Sequence, residues 1–171
     1  NRRGESRLKL KTPFNTNKHI YLNLGPSMNE SRLASIDNQN HLTYLFLNDK
    51  IDEVEIDIDE NLEHFVNDGT NMLFAGGSQL INKNIDFPFN KEFEESIIFE
   101  PSIYEASGVT YYVATTEDEQ IHALDKMGNE LPGFPVYGNS SATIGKFNKS
   151  GKTYLVGGTE DGTLFLYRIG E

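Results

Sequence analysis

A stretch of this chain occurs twice, and that repetition restricts the possible folds more than any other feature. Thr110-Tyr111-Tyr112-Val113-Ala114-Thr115-Thr116-Glu117-Asp118 matches Thr153-Tyr154-Leu155-Val156-Gly157-Gly158-Thr159-Glu160-Asp161 without a gap, 43 residues further on. The match continues from Ile121-His122-Ala123-Leu124 into Leu164-Phe165-Leu166-Tyr167. Both copies are β-branched and aromatic, and both are punctuated by a polar turn. A period of about 40–50 residues built from short strands is the mark of a β-propeller array.

The rest of the chain fits an all-β reading. Apolar runs are short and are separated by Gly, Asn, Asp and Pro. Strands are expected near 7–11, 18–24, 32–37, 41–48, 51–58, 71–76, 78–82, 97–104, 109–116, 119–125, 133–137, 141–147, 152–158 and 163–169. Only Glu92 to Ser96 suits a turn of helix. Asp161-Gly162 between two β runs is a hairpin signal, because Gly takes positive φ at no steric cost. Gly133-Phe134-Pro135-Val136 reads as a fourth, Pro-bearing strand, which Pro confines to an edge.

The repeats divide residues 1–171 into units at about 1–60, 61–96, 97–137 and 138–171, the first two degenerate. That makes three and a half to four antiparallel four-stranded blades. Leu73-Phe74-Ala75-Gly76-Gly77-Ser78 aligns with Tyr154–Thr159. Ser35-Ile36-Asp37 and Leu42–Phe46 read as a first and second strand. The last unit lacks a counterpart of the Pro-bearing strand. Ser6–Thr12, with Leu8 and Leu10 alternating with Arg7, Lys9 and Lys11, could complete it within the chain or between two copies. The expectation is therefore an incomplete propeller, part of a larger one or completed by an oligomer. A start at Asn1 rather than Met suggests a processed product or a piece of something longer.

Charge narrows the partners. Acidic residues number 26 against 15 Lys and Arg, a net charge of −11. That opposes contact with nucleic acid or anionic membrane, which requires clustered cations. It suits a cation or a basic protein. No Cys is present, so disulfides and Cys–zinc sites are excluded. No apolar run is long enough for a membrane helix, and no signal peptide is visible.

Ala123-Leu124-Asp125-Lys126-Met127-Gly128-Asn129-Glu130-Leu131-Pro132-Gly133-Phe134-Pro135-Val136 resembles the "L-D-x-x-G-x-x-L-P-G-F-P" stretch of bacterial FG-GAP/VCBS-like and quinoprotein-like (PQQ-like) propeller repeats. Val156–Tyr167 is similar to the strand–turn–strand that follows it there. The resemblance covers residues 97–169. It implies a propeller and a bacterial, periplasmic or cell-surface setting, but no activity, because such propellers host many functions. Two departures matter. The turns Asp37–His41, Glu105–Gly108 and Asn148–Gly151 lack the D-x-D-x-D-G carboxylates of calcium-binding repeats. The Trp that docks the blades of PQQ dehydrogenases is absent. No cofactor and no metal are therefore expected.

The candidate site is a rim of acidic turns. Glu117 and Asp118 occupy the same turn as Glu160 and Asp161, with Asp49 as a third copy. In a propeller these turns share one face and could hold a cation or a basic partner. Solvated Asp and Glu are also ordinary hairpin residues. Asp52 to Glu60 alternates Val54, Ile56 and Ile58 with acids, the pattern of a half-buried, charge-protected edge strand. The histidines His19, His41, His64 and His122 show no ligand spacing. His122 is expected to pack between blades with one nitrogen hydrogen-bonded. Tyr44, Tyr111 and Tyr154 are expected to pack there too. Gly76-Gly77 and Gly157-Gly158 have no helix or Lys behind them and are read as points of close strand approach. No catalytic residue is assigned. The leading reading is a non-enzymatic binding or interaction scaffold for a protein or carbohydrate ligand. Its rivals are a propeller hydrolase or lyase acting on polysaccharide, and a part whose function lies elsewhere in a parent chain.

Overall fold

The structure, a computed structural model, describes residues 62–68, 70–84, 86–106, 108–146 and 151–170 with their side chains, together with the backbone of four strands before residue 57. The chain forms two compact units, Asn1–Asp57 and Ile58–Glu171. The strand expected at 7–11, the closure by Ser6–Thr12 and the candidate Asp49 lie outside the described residues.

The first unit holds one antiparallel sheet in the order β1 (His19–Asn23), β2 (Arg32–Ile36), β3 (His41–Phe46) and β4 (Ile51–Glu55). Ile36 pairs with Leu42. Because β1 precedes them, these two runs are the second and third strands, not the first and second. The acidic β4 ends the sheet, with β3 as its neighbour. A charged strand suits that place, because like charges discourage pairing with another chain.

The second unit holds three sheets. One is β5 (His64–Asn67), β6 (Met72–Gly76), β7 (Gln79–Asn82) and β8 (Phe89–Glu92). The next is β9 (Ser102–Ala106), β10 (Val109–Thr116), β11 (Gln120–Leu124) and β12 (Val136–Tyr137). The last, among the described residues, is β13 (Thr143–Gly145), β14 (Thr153–Gly158) and β15 (Leu164–Ile169). Each is an antiparallel meander, and the repeated stretches form the second strands β10 and β14.

The expected helical turn is absent. Phe93 N–H donates to Ser78 O and Ile97 N–H to Gly77 O, so this backbone bonds sideways to the β7 side of the sheet rather than along itself. Pro135 does not sit within the fourth strand. It follows a cis peptide after Phe134 and precedes Val136 and Tyr137, which pair with Ile121 and Gln120.

Two apolar layers build this unit. Leu73, Ala75 and Leu80 from the β5–β8 sheet meet Tyr112, Ala114 and Leu124, with Phe93 and Ile97 between. Val113, Ile121 and Ala123 meet Ala142, Ile144 and Leu155 on the other side. The β9–β12 sheet is thus covered on both faces, which is why Tyr112 to Thr116 is buried without alternation. Tyr112 and Leu155 are the fully buried copies of one another; of the tyrosines expected to pack between blades, Tyr111 is half-buried against the second layer, Tyr154 is half-buried, and the side chain of Tyr44 lies outside the described residues.

Candidate functional site

Each repeated turn is organised by a Thr–Asp pair. The Thr116 hydroxyl lies 2.5 Å from Asp118 Oδ1, and the Thr159 hydroxyl 2.5 Å from Asp161 Oδ1. Glu119 N–H donates to Thr116 O and Gly162 N–H to Thr159 O, closing the same turn twice. The Thr159 hydroxyl and the Thr163 amide hold the exposed Asp161 carboxyl below its ordinary range. Hydrogen bonds to the ionised form do this, because protonation would break them.

One asparagine links the two turns. Asn139 Nδ2 donates to Glu119 Oε1 at 3.2 Å, and Asn139 Oδ1 accepts from the Glu160 amide at 3.1 Å. Its own backbone N–H donates to Gly158 O. The turn that carries Glu117 and Asp118 and the turn that carries Glu160 and Asp161 are therefore joined through Asn139. Glu119 holds a left-handed φ of 60°, whereas its copy is Gly162 at 85°. A Glu tolerates that conformation at a cost, and such strain marks positions held by their surroundings. The turn requires it, since Glu119 N–H donates to Thr116 O and Glu119 O accepts from Gly138 N–H, and the Asn139 bond adds a contact to its side chain. Glu119 and Asn139 were missed in the sequence, because their pairing joins two sheets.

Next to this rim, between the β5–β8 and β9–β12 sheets, lies a cleft of about 310 Å³. Lys91, Phe93, Glu95, Asp118, His122 and Glu130 are among its lining residues. Pairing of Ala114 with His122 and of Thr116 with Gln120 points Thr116 and His122 toward the β5–β8 sheet. His122 is buried, as expected, but both ring nitrogens are engaged. Nδ1 lies 2.9 Å from Glu130 Oε1, and Nε2 lies 3.3 Å from Thr116 Oγ1. Phe93 covers the ring at 4.4 Å between centroids. Lys91 Nζ is 3.9 Å from Glu130 Oε2, a partly exposed contact that adds little. In the copy, Phe165 takes the place of His122 and stacks edge-on against Tyr137.

No family model matches the chain, and no curated protein matches it. Solved structures do. BBS1N in complex with ARL6DN, soaked with mercury, matches 91% of this chain at a TM-score of 0.57 and 16% identity. The same complex soaked with lead matches 91% at 0.56 and 14%. BBS1N is a β-propeller. The described sheets are propeller blades. At this identity the likeness establishes the fold alone. The chain spans about half the length of these structures, 51% and 52% of those chains.

Proposed function

We propose that this chain is a non-enzymatic β-propeller module that binds a basic protein partner through its acidic rim. The observation that carries the reading is the coupling of two acidic turns from neighbouring blades through Asn139. The net charge of −11 adds long-range attraction for a cationic surface. The neighbour BBS1N is itself in complex with a protein, ARL6DN, which agrees with a binding role for such a fold. Catalysis is less well supported, because the cleft carboxylates Asp118 and Glu130 are engaged by Thr116 and by His122 and Lys91.

An oligolysine peptide serves as the probe, followed by calorimetry at two ionic strengths. Binding is expected at low salt and should weaken as salt screens the exposed charges. Glu117→Lys with Glu160→Lys should abolish it without moving the thermal midpoint, since both side chains are exposed. Unchanged binding by that double variant would refute the rim as the binding surface.

A further inference from the structure

We propose that His122 is a pH-sensitive relay that controls the Asp118 carboxylate of the acidic rim, a regulation that rests on the reading above. Thr116 carries one hydroxyl proton, and its shortest contact is Asp118 Oδ1 at 2.5 Å, against 3.3 Å to Gln120 O and to His122 Nε2. That proton therefore goes to Asp118. Thr116 Oγ1 then faces Nε2 only as an acceptor, so that contact is a hydrogen bond when Nε2 carries a proton. Glu130 Oε1 accepts from Nδ1 at 2.9 Å. Both contacts are made together only when each ring nitrogen carries a proton.

Loss of the Nε2 proton to solvent inverts the chain. Nε2 becomes an acceptor, the Thr116 hydroxyl turns to it, and Asp118 Oδ1 loses its donor. The rim carboxylate is released and the nearby positive charge disappears, and both changes favour a basic partner at higher pH. The charged groups that line the cleft with the ring are Glu130 after β11, Lys91 and Glu92 of β8, Glu94 and Glu95 beyond it, and Asp118 of the β10–β11 turn. Carboxylates outnumber the single Lys among them. The sister turn supplies an internal control. Thr159 and Asp161 repeat Thr116 and Asp118, but Phe165 stands where His122 would be, and no ring nitrogen is there to compete for the hydroxyl.

The test follows the Asp118 and Asp161 carboxyl carbons and the His122 ring by NMR across about pH 5 to 8, where a His changes charge. Asp118 is expected to inflect at the His122 midpoint while Asp161 stays flat. Thr116→Val should leave His122 titrating and make Asp118 flat; Thr116→Ser should keep the inflection. His122→Phe, which copies the sister blade, should also flatten Asp118 and covers the case in which the buried Val variant does not fold. A flat Asp118 in the parent protein, or an inflection that survives Thr116→Val, overturns the relay. Oligolysine affinity should rise about fivefold through the same midpoint, the lower end of coupling between sites, and lose that rise in His122→Phe. If oligolysine binds at no pH, the acidic-rim reading falls, and the carboxyl titration still decides the relay.

Discussion

Tyr112 shows how one buried hydroxyl can lock two blades. Its O–H donates to Asn71 Oδ1 at 2.7 Å and accepts from Asn82 Nδ2 at 2.9 Å. Asn71 is in turn held by Asp68 and by Asn84. All of these partners come from the β5–β8 blade, whereas Tyr112 belongs to β10. Buried polar groups must be paired, so the network specifies how the blades meet. Burial first, and then the negative charge of Asp68, push the phenol up to about 12, against a smaller lowering by the Asn82 bond. The folded state prefers the neutral phenol, so this contribution is complete below the ordinary value of 10.0 and is lost as pH rises through about 12. Tyr112→Phe is expected to cost about 1–2 kcal/mol in urea unfolding, because the Asn partners lose one bond each. It should also remove part of the alkaline instability between pH 10 and 12. A variant as stable as the parent protein, with the same alkaline limb, would show that the hydroxyl contributes nothing.

Strands were legible in the sequence where their chemistry is local. The β10 and β14 copies, with their Thr-Glu-Asp turns, need only nearby residues to define them. β5 was not seen, because only Phe65 and Val66 in His64–Asn67 carry an apolar signal. The helical reading of Glu92–Ser96 failed because Phe93 and Ile97 find backbone partners in a neighbouring hairpin, which composition does not reveal. The rim carboxylates were legible as repeats, whereas Asn139, Glu119 and the His122–Glu130 pair were not, since each depends on contacts between elements. Gly157 is the case where the close-approach reading acquires a number. A Cβ there would stand 2.3 Å from Ile121 Cδ1 of the adjacent blade. Gly157→Ala should therefore cost about 1–3 kcal/mol by overpacking. Ile121→Val, which removes that methyl, should recover part of the loss in a double-mutant cycle. If the two changes proved additive, the close approach would not explain the glycine.

Across the molecule, the repeat exposes an asymmetry between copies. Ile121 and Ala123 are fully buried, whereas their counterparts Leu164 and Leu166 are 76% and 56% exposed. The difference lies in what covers them, since Ile144 and Leu155 of the β13–β15 blade pack against Ile121 and Ala123, whereas no described residue of the second unit covers Leu164 and Leu166. The middle blade of the second unit is clamped on both faces and the last on one. In repeat architectures stability sums over each unit and its neighbour interfaces. A blade with one interface should then open at lower free energy than a blade with two, and hydrogen exchange reads that difference. Amides of β10 and β11 are expected to exchange most slowly in the second unit, with β15 markedly faster. Replacing Leu164 and Leu166 by Lys should leave stability within about 0.5 kcal/mol, as for surface positions. β15 amides protected as strongly as β11, or a large loss on Lys substitution, would mean that this face is covered in solution.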